Sequence, residues 1–306
     1  MTQLIEKLPA VPTEIIEAVS NDTLAIFIGA GVSRIIGCDG WDELAKRLID
    51  KCFSLSIINY REKISLGEET DHKKTITICR HILNQAHFED SFYAELNNAV
   101  SGKQSLLKSQ NIYHDLLDLH GLFITTNIDT HFDKEFNVSR VVFRPDDFDY
   151  RTIDRTYLYH IHGSLIDPSS LVLTTPEYIE RYRLPNFVMF LKQIFRSYTV
   201  LFVGYGLNEF EMLDFVIEKS EVSVDIKRKH FILLPYYSRE DNMVKFDQSY
   251  YGPMGISVIG FEKDEKGYAQ LYDVIKFWNE EINQTSTYLY DSLNFIKQVV
   301  NDYDGK

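Results

Sequence analysis

Four short segments carry residues whose types and spacing could do chemistry. The first is Gly29-Ala30-Gly31-Val32-Ser33. Two glycines one residue apart let a backbone turn sharply and come close to a phosphate. A helix starting there would aim N–H groups and the positive end of its dipole at that anion. The third glycine of a full G-x-G-x-x-G is missing, because Arg34 holds that place. A plain strand-to-helix turn competes with the phosphate reading. The second segment is Thr125-Thr126-Asn127-Ile128-Asp129. The Asn127 amide can hold a water or a ribose hydroxyl, and Asp129 adds a carboxylate. Their ordinary alternatives are a turn residue and a helix N-cap.

The third segment is Tyr157-Leu158-Tyr159-His160-Ile161-His162-Gly163-Ser164. Histidines two apart on a strand share a face. His160 reads as a satisfied core histidine. His162, at the strand exit, reads as a general base, since a neutral imidazole near pH 7 accepts protons readily. No third ligand completes a metal site with this pair. The fourth segment runs Leu201-Phe202-Val203-Gly204-Tyr205-Gly206-Leu207-Asn208. Gly204, Gly206 and Asn208 could face an adenosine ribose, or simply form a strand turn with Asn208 as a helix cap.

Each segment needs a strand to bring it to a common edge. The apolar run Leu24–Ile28 ends in Gly29 and predicts a buried parallel strand. Further strands are predicted at Leu122–Thr125, Val141–Phe143, Tyr157–Ile161, Leu171–Leu173, Val200–Val203, Phe231–Leu234 and Ile256–Ile259. Helical spacing appears at Trp41–Cys52, Phe187–Tyr198, Glu209–Lys219, Tyr268–Glu281 and Thr287–Val300. The stretch from about Tyr60 to Leu119 shows only helical pattern. Strands alternating with helices predict an α/β fold: a Rossmann-like, doubly wound, mostly parallel sheet with Leu24–Ile28 central. We expect one domain over residues 1–306, with a helical insertion at about 55–119 and C-terminal helices at about 268–301.

The net charge of −13 argues against direct nucleic-acid binding, which needs cations on the phosphates. Apolar runs are too short to span a bilayer, and Met1–Ala10 has no signal-peptide pattern, so we expect a cytoplasmic protein without membrane contact. Cys38, Cys52 and Cys79 form no C-x-x-C pair. A zinc module is therefore not expected, and the thiols read as inert.

Taken in order, G-A-G-V-S, T-T-N-I-D, H-I-H-G-S and F-V-G-Y-G resemble the sirtuin superfamily over roughly residues 22–210. The resemblance is to the sirtuin-like domains of prokaryotic anti-phage defence systems. It implies that Gly29, Ala30, Gly31 and Ser33 contact the phosphates of NAD, and that Asn127 and His162 are the catalytic pair. It places Asp129 near the nicotinamide end and Gly204, Gly206 and Asn208 near the adenosine. Sirtuin deacylases follow the glycine motif with G-I-P-D-F-R. This chain has Gly37-Cys38-Asp39-Gly40-Trp41-Asp42-Glu43-Leu44, closer to the G-x-P-x-W-x-x-L of the defence group but without its proline. The resemblance thus implies an NAD+ hydrolase that cleaves the nicotinamide–ribose bond, with NAD as substrate and no metal. A non-catalytic NAD- or ADP-ribose-binding subunit and a protein deacylase are the alternatives. A toxic NADase needs control, which implies a homo-oligomer or a partner such as a HerA-type ATPase or a short Argonaute.

Overall fold

The structure is a computed structural model and describes residues 4–109, 111–135, 141–205 and 230–284. Its frame is one sheet of eight strands, every pair parallel. In chain order these are β1 (Ile5–Glu6), β2 (Leu24–Ile28), β3 (Leu122–Thr125), β4 (Val141–Val142), β5 (Leu158–His160), β6 (Thr199–Val203), β7 (His230–Tyr236) and β8 (Ile256–Glu262). Their spatial order is β1-β8-β7-β6-β2-β3-β5-β4. The inner run β5-β3-β2-β6-β7-β8 is the doubly wound order, and the connection reverses direction at β2. Ligands in such sheets sit beyond the carboxyl ends of the strands at that reversal.

β2 is apolar without alternation because both its faces are covered. Ala25 and Phe27 enter one core layer, with Phe187, Phe190 and Ile194 of the helix Pro185–Ser197. Leu24, Ile26 and Ile28 enter the opposite layer, with Ile112 and Leu116 of the helix Ile112–Leu117 and with Val274 and Trp278. Trp278 lies on a helix described over 270–284, and its indole N–H donates to the Pro9 carbonyl at 2.7 Å.

Between β2 and β3 the chain is helical. A third core joins Leu44, Leu48 and Cys52 of the helix Trp41–Ser54 to Ile76, Cys79 and Leu83 of His72–Gln85. Phe92 and Leu96 of Glu89–Ala99 complete it. Ile128, Leu171 and Leu173 also belong to this core. Residues 171–173 were expected to form a strand, but they lie outside the sheet. Val172 N–H donates to the His162 carbonyl at 2.9 Å, and Leu173 N–H donates to the Glu177 carboxylate at 2.9 Å. Their apolar character serves the helical core, and an apolar run does not say which core buries it. The expected helices Glu209–Lys219 and Thr287–Val300 lie outside the described residues.

Candidate active site

At the end of β2, Gly29 N–H donates to the Val203 carbonyl at 2.9 Å, and Gly31 N–H to the Gly204 carbonyl at 2.8 Å. The two glycine motifs thus meet at the ends of adjacent strands, β2 and β6. A Cβ on Gly31 would stand 2.7 Å from the Gly204 oxygen and 2.7 Å from Tyr268 Cε1. Gly204 has φ +68°, and a Cβ there would stand 2.6 Å from the Val32 nitrogen. Both positions therefore require glycine for packing between loops. The Gly31 N–H points at protein, not at a ligand. Gly206 and Asn208 lie outside the described residues.

Beside this junction opens a cleft, open to solvent. Its floor is Ala30, Ser33 and the β3 exit Thr126–Asp129; its walls include Cys38, Asp39, Trp41, Leu96 and Val100. The helical insertion is fastened to this rim by three bonds. Asp39 N–H donates to the Ala99 carbonyl at 2.7 Å. Cys38 Sγ lies 3.4 Å and His131 Nε2 2.9 Å from the Val100 carbonyl. Burial, with Asp129 and Asp39 nearby, pushes the Cys38 thiol up to about 12, so the cleft-lining thiol is inert at neutral pH. Among the described residues, the lining carries the carboxylates Asp39 and Asp129 and no lysine or arginine.

Asn127 is tightly fixed. Its Nδ2 donates to the Gly29 carbonyl at 3.1 Å, and its backbone N–H donates to Thr125 Oγ1 at 2.9 Å. Its own carbonyl lies 2.8 Å from His160 Nδ1. Ser33 Oγ donates to Asp129 Oδ2 at 2.6 Å. That bond uses the only Ser33 proton, so Tyr113, whose hydroxyl is 2.8 Å from Ser33 Oγ, donates to Ser33. The other Asp129 oxygen accepts His131 N–H at 3.0 Å. Burial and the charge of Asp129 keep the Tyr113 hydroxyl protonated far above its ordinary range. Ser33 therefore presents no free proton to a phosphate in this arrangement.

His162 lies behind the cleft wall rather than on it. Nε2 is 3.2 Å from the Tyr182 hydroxyl, and the ring meets Tyr178 edge-on at 4.9 Å. Nδ1 is buried without a hydrogen-bond partner. Burial, with Lys73 and Arg181 nearby, drives the ring pKa down to about 3, opposed by the backbone of Thr126. Thr126 itself lines the cleft, so a single residue separates imidazole and cleft. Arg181 holds this loop in place, donating to the carbonyls of Ile161 at 2.8 Å and Ser170 at 3.0 Å.

The structure thus joins Ala30, Ser33, Asn127 and Asp129 in one cleft, and places Gly29 and Gly31 beneath it, Gly204 against them and His162 one residue behind. Sequence reasoning missed Tyr113, His131 and Asp133. Tyr113 lies on the buried face of its helix with Ile112 and Leu116 and reads as core, and Asp133 follows a motif already read as complete. Nothing local announces that they fold back onto Ser33, Val100 and His160.

A parallel sheet wound in this order, with a cleft at the strand reversal, defines a Rossmann-like α/β fold. Residues 121–254 match the family model of the SIR2-like domain. Two proteins of similar sequence are both called NAD(+) hydrolase ThsA. That of Acinetobacter baumannii (strain 532279) is 24% identical over 244 residues, covering 77% of this chain and 47% of that protein. That of Enterococcus faecium is 26% identical over 252 residues, covering 77% and 48%. The chain spans about half the length of these relatives. Among the described residues, no helix is long and apolar enough to cross a membrane.

Proposed function

We propose that this chain hydrolyses NAD+ at the nicotinamide–ribose bond, in the cytoplasm, as the NAD-depleting effector of an anti-phage defence system. The similarity to NAD(+) hydrolases supports the reaction type. The observation that carries the reading is Asn127, held by three hydrogen bonds on the floor of an acidic cleft at the strand reversal. Loss of nicotinamide leaves positive charge on the ribose. Carboxylates fixed beforehand, such as Asp129, lower the cost of that charge without reorganising. The carboxylates Asp39 and Asp129 in the lining suit this cationic end of the dinucleotide. Asn127 positions the attacking water.

His162 is the proposed proton acceptor. A ring with so low a pKa is a weak base, but the reaction does not need a strong one. Water becomes acidic as it bonds to the ribosyl cation, so proton removal follows bond cleavage. A neutral ring also adds no repulsion to the developing charge. Control comes from self-assembly or from a partner of the HerA-type ATPase or short Argonaute kind.

The test is nicotinamide release from NAD+ by the purified chain, followed by chromatography, with binding read from Trp41 fluorescence at the cleft. We expect release by the wild type and its loss in Asn127→Ala. Binding without release would make the chain an NAD-binding subunit. NAD-dependent removal of acetyl groups from a lysine peptide would make it a deacylase.

A further inference from the structure

His160 is completely buried at the end of β5 and lies outside the cleft. Both of its ring nitrogens face an oxygen at 2.8 Å: Nδ1 the backbone carbonyl of Asn127, Nε2 the Oδ1 of Asp133. A backbone carbonyl accepts and never donates, so Nδ1 must carry a proton. A carboxylate also only accepts, so Nε2 must carry one too. A neutral imidazole has a single N–H and satisfies one of these bonds, not both.

Asp133 points the same way. It is 2% exposed, and its Oδ2 is buried without a partner. A buried carboxylate with one bare oxygen needs a counter-charge at contact distance, because an unpaired charge is costly to bury. The contact at Oδ1 is the His160 ring. The acidic groups around the ring, Asp133 and Asp129, together with the Asn127 carbonyl, all favour the charged form, whereas burial opposes it.

We propose that His160 is held as an imidazolium, paired with Asp133, and that this buried ion pair positions Asn127. A cationic donor strengthens the bond to the Asn127 carbonyl relative to a neutral one. It pins the peptide of the residue whose side chain reaches the cleft. The segment Asn127–Asp133 leaves β3 and turns back so that both its ends grip one side chain on β5. His160 is thus a positioning residue acting through Asn127, and it never touches substrate. The effect on turnover rests on the NAD+-hydrolase reading; the charge state of the ring does not.

The experiment uses the full chain labelled uniformly with 15N. Long-range proton–nitrogen spectra show which ring nitrogens carry protons, and the His160→Gln variant assigns the signals. We expect both His160 nitrogens to carry protons at neutral pH, above the ordinary histidine midpoint. Asp133→Asn should convert the ring to a single-proton form and shift the Ile128 amide resonance, which reports the Asn127 peptide. In melt-checked, folded Asp133→Asn protein, kcat for nicotinamide release should fall about a hundredfold, the scale of a misplaced catalytic group. NAD+ binding by Trp41 fluorescence should change little. A wild-type ring with one proton at neutral pH overturns the proposal. An unmoved Ile128 amide in Asp133→Asn, or wild-type kcat in that variant, also overturns it. If the wild type releases no nicotinamide, the hydrolase reading fails, while the two spectroscopic outcomes still decide the ion pair.

Discussion

His162 and His160 stand two residues apart in one motif, yet the fold drives their rings to opposite charge states. With its pKa pushed down to about 3, His162 stays neutral throughout the physiological range. Its protonation should therefore leave no acid limb in kcat against pH between about 5 and 8; a limb in the wild type that vanishes in His162→Gln would contradict this. His162→Ala should lower kcat by about 10²–10⁴-fold, the usual worth of a positioned proton acceptor, with little change in KM. Tyr113 offers a finer probe. Tyr113→Phe keeps the ring stacked on Phe132 at 4.9 Å and deletes only the hydroxyl that donates to Ser33. Thermal or urea melts should show a loss of about 1 kcal/mol, that of one buried hydrogen bond. The freed Ser33 and Asp129 should also lower kcat. Wild-type kcat in this variant would remove Tyr113 from the site.

At the scale of elements, the turn from β2 into the helix Ala30–Ile35 and the end of β6 form one unit. Gly31 was expected to make room for a phosphate, so that a larger residue would act on binding. Its contacts with Gly204 and Tyr268 make it a packing position instead. Even Gly31→Ala should lower the melting temperature, by the equivalent of about 1–3 kcal/mol for an overpacked site. Where the protein still folds, loss of NAD+ affinity should follow the loss of stability. A fully stable Gly31→Ala protein with abolished binding would restore the phosphate role. The helical insertion is a second unit, and its core faces the cleft through Leu96 and Leu173. Helices thus form the wall opposite the sheet, and Trp41 stands at the start of one of them.

For the whole molecule, the two buried histidines set opposing pH dependences of stability. The folded pKa of His162 lies below its ordinary value of 6.5, so between about 3 and 6.5 the unfolded chain binds a proton that the folded chain refuses. This component of stability is present above pH 6.5 and is lost as pH falls. The folded pKa of His160 is raised, so its contribution is present below the ordinary value and is lost as pH rises through the folded one. Denaturant melts from pH 7 down to pH 4 should therefore fall off less steeply in His162→Gln than in the wild type; equal slopes would refute the burial argument. The same scale carries the question of control. If activity depends on assembly, specific activity should climb with protein concentration or on adding a partner. High specific activity in a dilute, monodisperse monomer would argue against that.

The amino-acid order by itself determined the strands and their parallel winding. β2, β3, β6 and β7 are apolar runs closed by glycine or polar breaks, and burial on both faces forces that composition. It also determined that Asn127, Asp129 and the glycine motifs gather at one sheet edge, because each follows a strand and parallel strands end on the same side. What only the tertiary structure decided depends on neighbours distant in sequence. The glycines of two motifs pack against each other. Ser33 gives its proton to Asp129, 96 residues away. Residues 171–173 fill a helical core instead of a strand. His160 is gripped by Asn127 and Asp133, and His162 is turned behind Thr126. A hydroxyl, an amide or an imidazole carries the same donors and acceptors wherever it stands. Which of them remain for a ligand is settled only when folding has assigned the rest to other protein groups.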